Sequence, residues 1–207
     1  MAHRVRIKMC GMTRKQDIAH AIDLGVDAIG LIFYPQSPRY VSVPQAKLLV
    51  QDIPVFVDIL AVVVNPESSL VEQIINELPI QGVQFHGQES ARFCSQFKIP
   101  YVKAISAHSK EAIMELSAEF QEAAAILLDT PSRSYGGTGS RFDWRIIPQK
   151  RVKPIILAGG LNASNVKEAV SICSPFAVDV CSGIEASPGI KDHGKMNDFV
   201  NALWGKA

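Results

Sequence analysis

The chain contains eight short apolar runs, and each is followed by a polar stretch with helical spacing. This alternation limits how the chain can fold more strongly than any other feature of the sequence. Runs and candidate helices alternate from end to end with a repeat of roughly 25 residues, the size of one strand–helix unit. The runs are VRIKMC, AIGLIF, ILAVVV, GVQFH, YVKAI, AAILLDT, PIILAG and AVDVCSG, and they begin near Val5, Ala28, Ile59, Gly82, Tyr101, Ala123, Pro154 and Ala177. The candidate helices cover about 14–24, 44–52, 67–78, 89–97, 109–120, 143–149, 164–172 and 192–203.

This alternation predicts the fold class. Eight parallel strands, each followed by a helix, are the content of a compact (β/α)8 barrel, whereas an open doubly wound sheet would need fewer strands. No long linker or low-complexity segment interrupts the 207 residues. The sequence therefore predicts an α/β protein with a (β/α)8 TIM barrel that occupies residues 1–207 as a single domain.

Composition narrows the classes of partner. The formal net charge is +1, and no run of Lys or Arg exceeds two residues, so nucleic acid and membrane surfaces are poor partners and a small-molecule substrate is expected. The start of the chain lacks the apolar segment of a signal peptide, and no apolar stretch reaches the roughly 18 residues of a membrane span. These features predict a cytoplasmic protein. We expect a monomer, with a homodimer as the alternative, because the amphipathic helix faces are needed to cover the barrel.

The four cysteines do not form a metal-binding or disulfide pattern. Cys10, Cys94, Cys173 and Cys181 are scattered, with no Cys-x-x-Cys pair and no neighbouring histidine. This spacing argues against zinc and against a disulfide framework. We therefore expect reduced thiols and no metal site.

Glycine and serine follow the last two predicted strands. In barrels of this type the functional groups lie at the carboxyl ends of the strands, and the loops after strands seven and eight commonly bind phosphate through backbone N–H groups. Gly159 and Gly160 follow the seventh run, and Ser182 and Gly183 follow the eighth. These residues predict a phosphorylated substrate, although helix caps and tight turns would also account for the glycines.

Two features follow the sixth run. Asp129 ends an apolar strand where the barrel opens, and partial desolvation of a carboxyl group there would suit a general acid. A helix N-cap or a structural ion pair is the alternative. The glycine-rich stretch 136–139, which includes Gly137, is interpreted as a lid that contacts bound substrate. An ordinary surface loop would have the same composition.

Two basic side chains could orient the substrate. Arg39 lies between Pro38 and Tyr40 beyond the second strand and could hold a carboxylate through two hydrogen bonds, or could be a solvated loop residue. His86 follows the fourth run and could polarise a substrate oxygen, or could satisfy a neighbouring loop.

Cys10 closes the first run and raises the question of why a thiol stands at the barrel mouth. A buried cysteine is most often a small core residue, but here Lys8 lies two positions earlier and therefore on the same strand face. A charged side chain in mid-strand needs a partner, and Asp179 on the neighbouring eighth strand can supply one. We predict a buried Lys8–Asp179 ion pair beneath Cys10, with Lys8 favouring the thiolate form of Cys10.

With these residues placed, the chain resembles the phosphoribosylanthranilate isomerase family of tryptophan biosynthesis over nearly its whole length. The resemblance rests on an ordered set of motifs, which are KMCGMT, SPRYV, VQFHGQE, LDT leading to GGTG and FDW, LAGGL, DVCSGIE and PGIKD.

The resemblance implies an Amadori rearrangement of N-(5-phosphoribosyl)anthranilate to an open-chain 1-deoxyribulose phosphate. It implies that Asp129 is the general acid that protonates the furanose oxygen and that Cys10 is the general base that removes the proton from C2. It also places Arg39 at the carboxylate of anthranilate. It implies no metal, nucleotide or flavin cofactor.

Two other functions compete with this interpretation. The related aminoaldose–ketose isomerase of histidine biosynthesis would be expected to carry a carboxylate where Cys10 stands and a second phosphate loop in the first half of the chain. A non-catalytic barrel that binds a phosphorylated sugar would be expected to have lost the acid or the base. Cys10 and Asp129 are both present, which favours the first interpretation.

Overall fold

The predicted barrel is confirmed by the computed structural model, which describes residues 4–106, 108–130 and 143–205. Within these residues eight parallel strands close into a barrel in chain order. The barrel strands are β1 (Arg6–Cys10), β2 (Ala28–Ile32), β3 (Asp58–Val63), β4 (Gly82–Phe85), β5 (Tyr101–Ser106), β6 (Ala125–Asp129), β7 (Ile155–Leu157) and β8 (Ala177–Val180). The α-helices are α1 (Lys15–Asp23), α2 (Val43–Leu49), α3 (Ser68–Glu77), α4 (Ala91–Ser95), α5 (Lys110–Glu119), α6 (Val166–Cys173) and α7 (His193–Trp204).

The register of β1 places two predicted partners opposite each other. β1 pairs with β2 on one side and with β8 on the other, which closes the barrel. Lys8 lies directly opposite Asp179 on β8, and Cys10 lies opposite Gly30 on β2. Because side chains alternate along a strand, Lys8 and Cys10 share one face.

Several helices begin at residues that cap their free backbone N–H groups. Ser42 accepts from the backbone N–H of Gln45, and the Gln45 side chain accepts from the N–H of Ser42, so α2 begins with a capping box. Ser109 caps α5 and Asp192 caps α7 with the side chain alone, accepting from the backbone N–H groups of Ala112 and Lys195. Helix starts are therefore encoded locally at these positions.

The interior of the barrel is apolar on one side and polar on the other. Side chains from β5, β6 and β7 form a small buried cluster that includes Val102, Leu127 and Ile156. Lys8 on β1 and Asp179 on β8 are also buried. Burying charged side chains is costly unless they are paired, so a polar wall inside a barrel indicates a functional rather than a packing role.

The loop after β4 is fixed by a buried ion pair outside the barrel. Lys103 Nζ on β5 donates to Glu89 Oε2 at 2.8 Å and to the carbonyl oxygen of Gly87 at 2.7 Å. Both carboxylate oxygens of Glu89 accept from the N–H of Gly87. This network holds the chain directly after His86 and so restrains that side chain.

Two local predictions need correction. The helix predicted at 143–149 is a short 3-10 helix over Trp144–Ile146, capped by Asp143. Its Ile147 is already extended and is followed by Pro148, which disfavours a helical conformation in the residue before it. The sequence also did not predict β9 (Glu185–Ser187) and β10 (Ile190–Lys191), an antiparallel pair whose turn includes Gly189 at φ +81°.

No helix among the described residues has the length and apolarity needed to cross a membrane. In the same part of the chain, no group of three or more His, Cys, Asp or Glu side chains is arranged to hold a metal ion.

Candidate active site

A cleft of about 90 Å³ opens at the carboxyl ends of the barrel strands. The predicted residues that line it are Cys10, Arg39, His86, Asp129, Gly159, Gly160 and Ser182. Gly183 lies beside the cleft rather than in its lining, and Gly137 lies outside the described residues. The cleft also contains side chains that the sequence analysis did not select as site residues, among them Gln84, Tyr34 and Cys181.

Cys10 lies at the end of β1, with 5% of its surface exposed. A Cβ atom built on the facing Gly30 would lie 2.7 Å from the sulfur of Cys10 and 3.1 Å from Nζ of Lys8. Such distances are below normal contact, so only glycine on β2 leaves room for both side chains. The geometry predicted for Cys10 and Lys8 is confirmed.

The predicted buried ion pair is present. Lys8 Nζ donates to Oδ2 of Asp179 at 2.9 Å, and both side chains are almost fully buried. Burial opposes the charge on Lys8, but attraction to Asp179 and Cys10 outweighs it and raises the pKa of Lys8 above its usual value. Burial raises the pKa of Asp179 to about 7, against the attraction of Lys8. The ammonium group of Lys8 lies against an acceptor, which helps to raise its pKa. Lys8 therefore stays cationic beneath Cys10.

The pKa of the Cys10 thiol is held well below its usual value of 9.0. The first cause is a hydrogen bond from Cys181, and the positive charges of Lys8 and Lys191 add to it against the opposing effect of burial. The sequence had assigned this effect to Lys8, which contributes but is not the largest cause. The same contact raises the pKa of Cys181, so the pair favours a single thiolate on Cys10.

Asp129 is held by donors on both carboxylate oxygens. His86 Nε2 lies 3.1 Å from Oδ2, and the backbone N–H of Thr130 donates to Oδ1 at 2.7 Å. On the other side of the imidazole ring, Gln84 Nε2 lies 3.0 Å from Nδ1 of His86. With Gln84 donating to Nδ1, the Nε2–H of His86 points at Asp129. His86 therefore orients the carboxyl group.

The residues after β7 and β8 have different roles. Gly159 has φ +82°, and a Cβ atom there would lie 2.2 Å from Oγ1 of Thr130, so glycine is required beside Asp129. Gly160 and Ser182 also line the cleft. A Cβ on Gly183 would lie 1.9 Å from the carbonyl oxygen of Leu161. Because Gly183 has no side chain, the loops after β7 and β8 can pack together at this point.

Arg39 is buried, which excludes the alternative of a solvated loop residue. Its Nε and Nη2 donate to the two carboxylate oxygens of Glu185 at 2.8 and 2.7 Å. Lys191 Nζ donates to Oε1 of the same carboxylate at 3.0 Å. Hydrogen bonding to Glu185 raises the pKa of the Arg39 guanidinium, and Arg39 and Lys191 keep the pKa of Glu185 below its usual range despite burial.

Sequence reasoning missed Glu185 and Lys191 as members of the site. Arg39 and Glu185 are separated by 146 positions, and their contact depends on how two loops fold over the barrel. Cys181 could have been found, because it stands two positions after Asp179, as Cys10 stands two positions after Lys8. Alternation along the strand therefore predicts the same inward face for Cys181.

A thiol and a carboxyl group on different strands of one barrel, facing one cleft, are the groups of a barrel enzyme that uses acid–base chemistry. Residues 7–202 match the family model described as N-(5'phosphoribosyl)anthranilate (PRA) isomerase. The chain belongs to this family.

Relatives and solved structures agree with this assignment. The chain is 64% identical over 205 residues to the N-(5'-phosphoribosyl)anthranilate isomerase of Legionella pneumophila strain Paris, covering 98% of each chain. The phosphoribosyl anthranilate isomerase of Thermotoga maritima superposes with a TM-score of 0.90 at 38% identity, covering 98% of this chain and 100% of that one. A phosphoribosyl anthranilate isomerase in complex with reduced 1-(o-carboxyphenylamino)-1-deoxyribulose 5-phosphate gives a TM-score of 0.87 at 35% identity, with 98% and 100% coverage.

Proposed function

We propose that the protein catalyses the isomerisation of N-(5'-phosphoribosyl)anthranilate to 1-(2-carboxyphenylamino)-1-deoxyribulose 5-phosphate in tryptophan biosynthesis. The observation that carries this proposal, together with family membership, is that Cys10 and Asp129 face the same cleft. An aldose-to-ketose rearrangement needs one group to protonate the ring oxygen and another to remove a proton from the neighbouring carbon.

Asp129 is the general acid in this mechanism. Its proton passes to the furanose ring oxygen, the C1–O bond breaks, and the nitrogen lone pair forms a Schiff base at C1. The carboxylate left on Asp129 accepts from Nε2–H of His86 and from the N–H of Thr130. Both donors contact Asp129 in the structure without substrate. Fixed donors at a developing charge lower the barrier because they need not reorient during the reaction.

Cys10 is the general base in the second step. Its thiolate removes the proton from C2, and the electron pair moves toward the protonated Schiff base to give an enolamine, which becomes the ketone. The cations Lys8 and Lys191 favour the thiolate before substrate binds. The Lys8–Asp179 pair keeps one of these cations directly below the sulfur.

Substrate binding divides between two ends of the cleft. The phosphate lies at the backbone N–H groups of Gly159, Gly160 and Ser182, a position favoured by the loops after strands seven and eight. The carboxylate of anthranilate lies at Arg39. Glu185 occupies Nε and Nη2 of this side chain, so Nη1 is the nitrogen that has no hydrogen-bond partner among the described residues.

The two competing functions fit the site less well. The isomerase of histidine biosynthesis is expected to have a carboxylate at the position of the base, and a thiol occupies it here. A barrel that only binds a phosphorylated sugar has no need for a thiol kept ionised beside a carboxyl group. Catalysis on the anthranilate derivative is therefore the better-supported function.

A direct assay tests the proposal. The fluorescence of N-(5'-phosphoribosyl)anthranilate should fall on addition of enzyme, at a rate proportional to enzyme concentration. The corresponding aminoaldose substrate of histidine biosynthesis, supplied under the same conditions, should remain unchanged. Turnover of the second substrate in place of the first would assign the protein to the competing isomerase, and binding without turnover of either would assign it to the non-catalytic class.

Arg39→Ala should raise KM for the anthranilate substrate by about tenfold or more, because a charge-assisted hydrogen bond to the substrate carboxylate is lost. Steady-state kinetics checks this effect. Arg145→Ala is the matched control, since the Arg145 side chain is 81% exposed and lies outside the cleft. Equal kinetics for Arg39→Ala and Arg145→Ala would remove Arg39 from substrate binding.

A cytoplasmic location and a monomeric state remain predictions. Besides the helix faces that cover the barrel, the described residues expose Val55 and Phe56, by 81% and 97%, in the loop before β3. Light scattering across a concentration series measures the assembly state directly. A mass of one chain at all concentrations is expected.

A further inference from the structure

Arg39, Glu185 and Lys191 form a buried cluster of charged side chains where the loops fold over the barrel mouth. Glu185 on β9 and Lys191 on β10 lie opposite each other in the antiparallel pair. Arg39 lines the cleft, whereas Glu185 and Lys191 are not among the residues that line it. Burying three charges is costly, and a contact that only joined two loops could be made with apolar side chains at lower cost.

The carboxylate of Glu185 is filled by donors from the protein. Its Oε2 accepts from Nη2 of Arg39 at 2.7 Å. Its Oε1 accepts from Nε of Arg39 at 2.8 Å, from Nζ of Lys191 at 3.0 Å and from the backbone N–H of Gly189 at 3.2 Å. The thiol of Cys181 is a more distant donor to Oε1, at 4.0 Å. Glu185 therefore has no role in binding or protonating substrate directly.

The donors to Glu185 are fixed by contacts with the start of α1. The backbone N–H of Lys191 donates to Oδ2 of Asp17 at 3.1 Å, and its carbonyl oxygen accepts from Nη2 of Arg14 at 3.1 Å. The side chain of Lys191 is fully buried. Glu185 is thus held from the side away from Arg39, and it can fix the orientation of the guanidinium group.

This contact determines which N–H groups of Arg39 remain available. A guanidinium group carries five N–H groups in one plane, and Glu185 accepts one from Nε and one from Nη2. The two on Nη1 and the second on Nη2 remain, on the edge that points away from Glu185. A Cβ atom on Gly11, whose φ is +73°, would lie 2.7 Å from Cδ of Arg39. Glycine at this position therefore leaves the space that the Arg39 side chain needs to reach Glu185.

We propose that Glu185 is a positioning residue for substrate recognition, a role that rests on the proposed binding of the anthranilate carboxylate by Arg39. Glu185 holds two N–H groups of the guanidinium and presents the opposite edge to that carboxylate, without touching substrate itself. Lys191 offsets the negative charge of Glu185, so the Glu185 carboxylate does not cancel the attraction of Arg39 for an anion. The arrangement selects an aromatic amine with an ortho carboxylate over the same amine without one.

Two ligands separate orientation from general affinity. They are the reduced product analogue 1-(2-carboxyphenylamino)-1-deoxyribitol 5-phosphate and the same compound without the carboxyl group. Calorimetry with the wild-type protein should show tighter binding of the carboxylated compound, and Arg39→Ala should remove most of this preference. Glu185→Gln should lower the preference by about tenfold, the usual effect of losing a hydrogen bond to a charged group. This variant makes the cluster more positive, so charge alone would instead strengthen binding of the carboxylated compound.

A double variant and a matched control complete the test. Glu185→Gln combined with Lys191→Met removes one charge of each sign, so the summed charge of the cluster is that of the wild type. This double variant should lose the same preference, and it serves as the test if the two cations left in Glu185→Gln prevent folding. Glu77→Gln removes a carboxylate from an ion pair with Lys47 outside the cleft and should keep the wild-type preference.

The outcomes distinguish this proposal from the proposed function. A preference that is retained in the Glu185 variants while Arg39→Ala abolishes it would overturn the positioning role. An equal loss of affinity for both ligands would make the ion pair a structural contact only. A wild-type protein with no preference would remove Arg39 from the substrate carboxylate and overturn both proposals. Loss of the preference with affinity for the compound without a carboxyl group unchanged within about twofold supports the role of Glu185.

Discussion

Asp129→Asn should reduce kcat by at least about 10³-fold while leaving product-analogue affinity within a few-fold of the wild type. An amide cannot deliver the proton proposed to open the furanose ring, but the backbone N–H groups proposed to bind phosphate lie in other loops and should be unaffected. The change is nearly isosteric, and its amide oxygen can still accept from His86 or Thr130. Steady-state assays and calorimetry with a reduced, non-reacting product analogue measure the two quantities.

The matched control for this variant is Asp52→Asn. The Asp52 side chain is 85% exposed and pairs with Lys15 at the surface, so the kinetics of the variant should equal those of the wild type. If Asp129→Asn loses binding and turnover in the same proportion, the carboxyl group would be a binding residue rather than the general acid.

Strand alternation was enough to predict the interior of the barrel. Placing Lys8 and Cys10 on one face and Asp179 opposite Lys8 required only a two-residue period and the closure of strand eight on strand one. The structure has this register. Such pairing can be predicted because a parallel barrel leaves few alternatives for which strands meet and which side chains point inward.

The contacts between the loops that cover the site could not be predicted in the same way. Arg39, Glu185 and Lys191 come from loops outside the barrel strands, and their contacts depend on where those loops fold. The antiparallel pair β9–β10 brings Glu185 and Lys191 together, and it consists of only a few residues around Pro188 and Gly189. Strands this short have no detectable hydrophobic period. The glycine-rich stretch around Gly137, interpreted as a lid, stays a prediction.

The contacts of His86 also depended on the fold. The sequence left open whether this ring polarises substrate or satisfies a loop, and the structure places it between Gln84 and Asp129. β4 and β6 are not adjacent in the barrel, so strand pairing does not predict the His86–Asp129 contact. It arises where side chains converge at the narrow mouth of the barrel.

Cys10→Ser should lower kcat by several orders of magnitude, about 10³-fold or more, because a serine hydroxyl is too weakly acidic to be ionised at neutral pH. The pKa of the wild-type thiol is lowered by Cys181, Lys8 and Lys191, and these neighbours cannot bring a hydroxyl into the same range. Oxygen is smaller than sulfur, so serine fits the space beside Gly30 and the fold should be retained. Steady-state kinetics across a pH series measures the loss.

Cys173→Ser is the control that separates loss of the proposed base from the general effect of replacing a buried thiol by a hydroxyl. Cys173 is buried at the end of α6, where its sulfur donates to the carbonyl oxygen of Ala169 at 3.1 Å, and serine can make the same hydrogen bond. This variant should keep wild-type kcat with a small change in thermal stability. In Cys10→Ser, residual activity should rise with pH without reaching the wild-type plateau, since the base is then a hydroxyl or solvent. Near-normal activity at neutral pH would instead make Cys10 a small core residue, and the cations beneath it would then serve only the packing of the barrel.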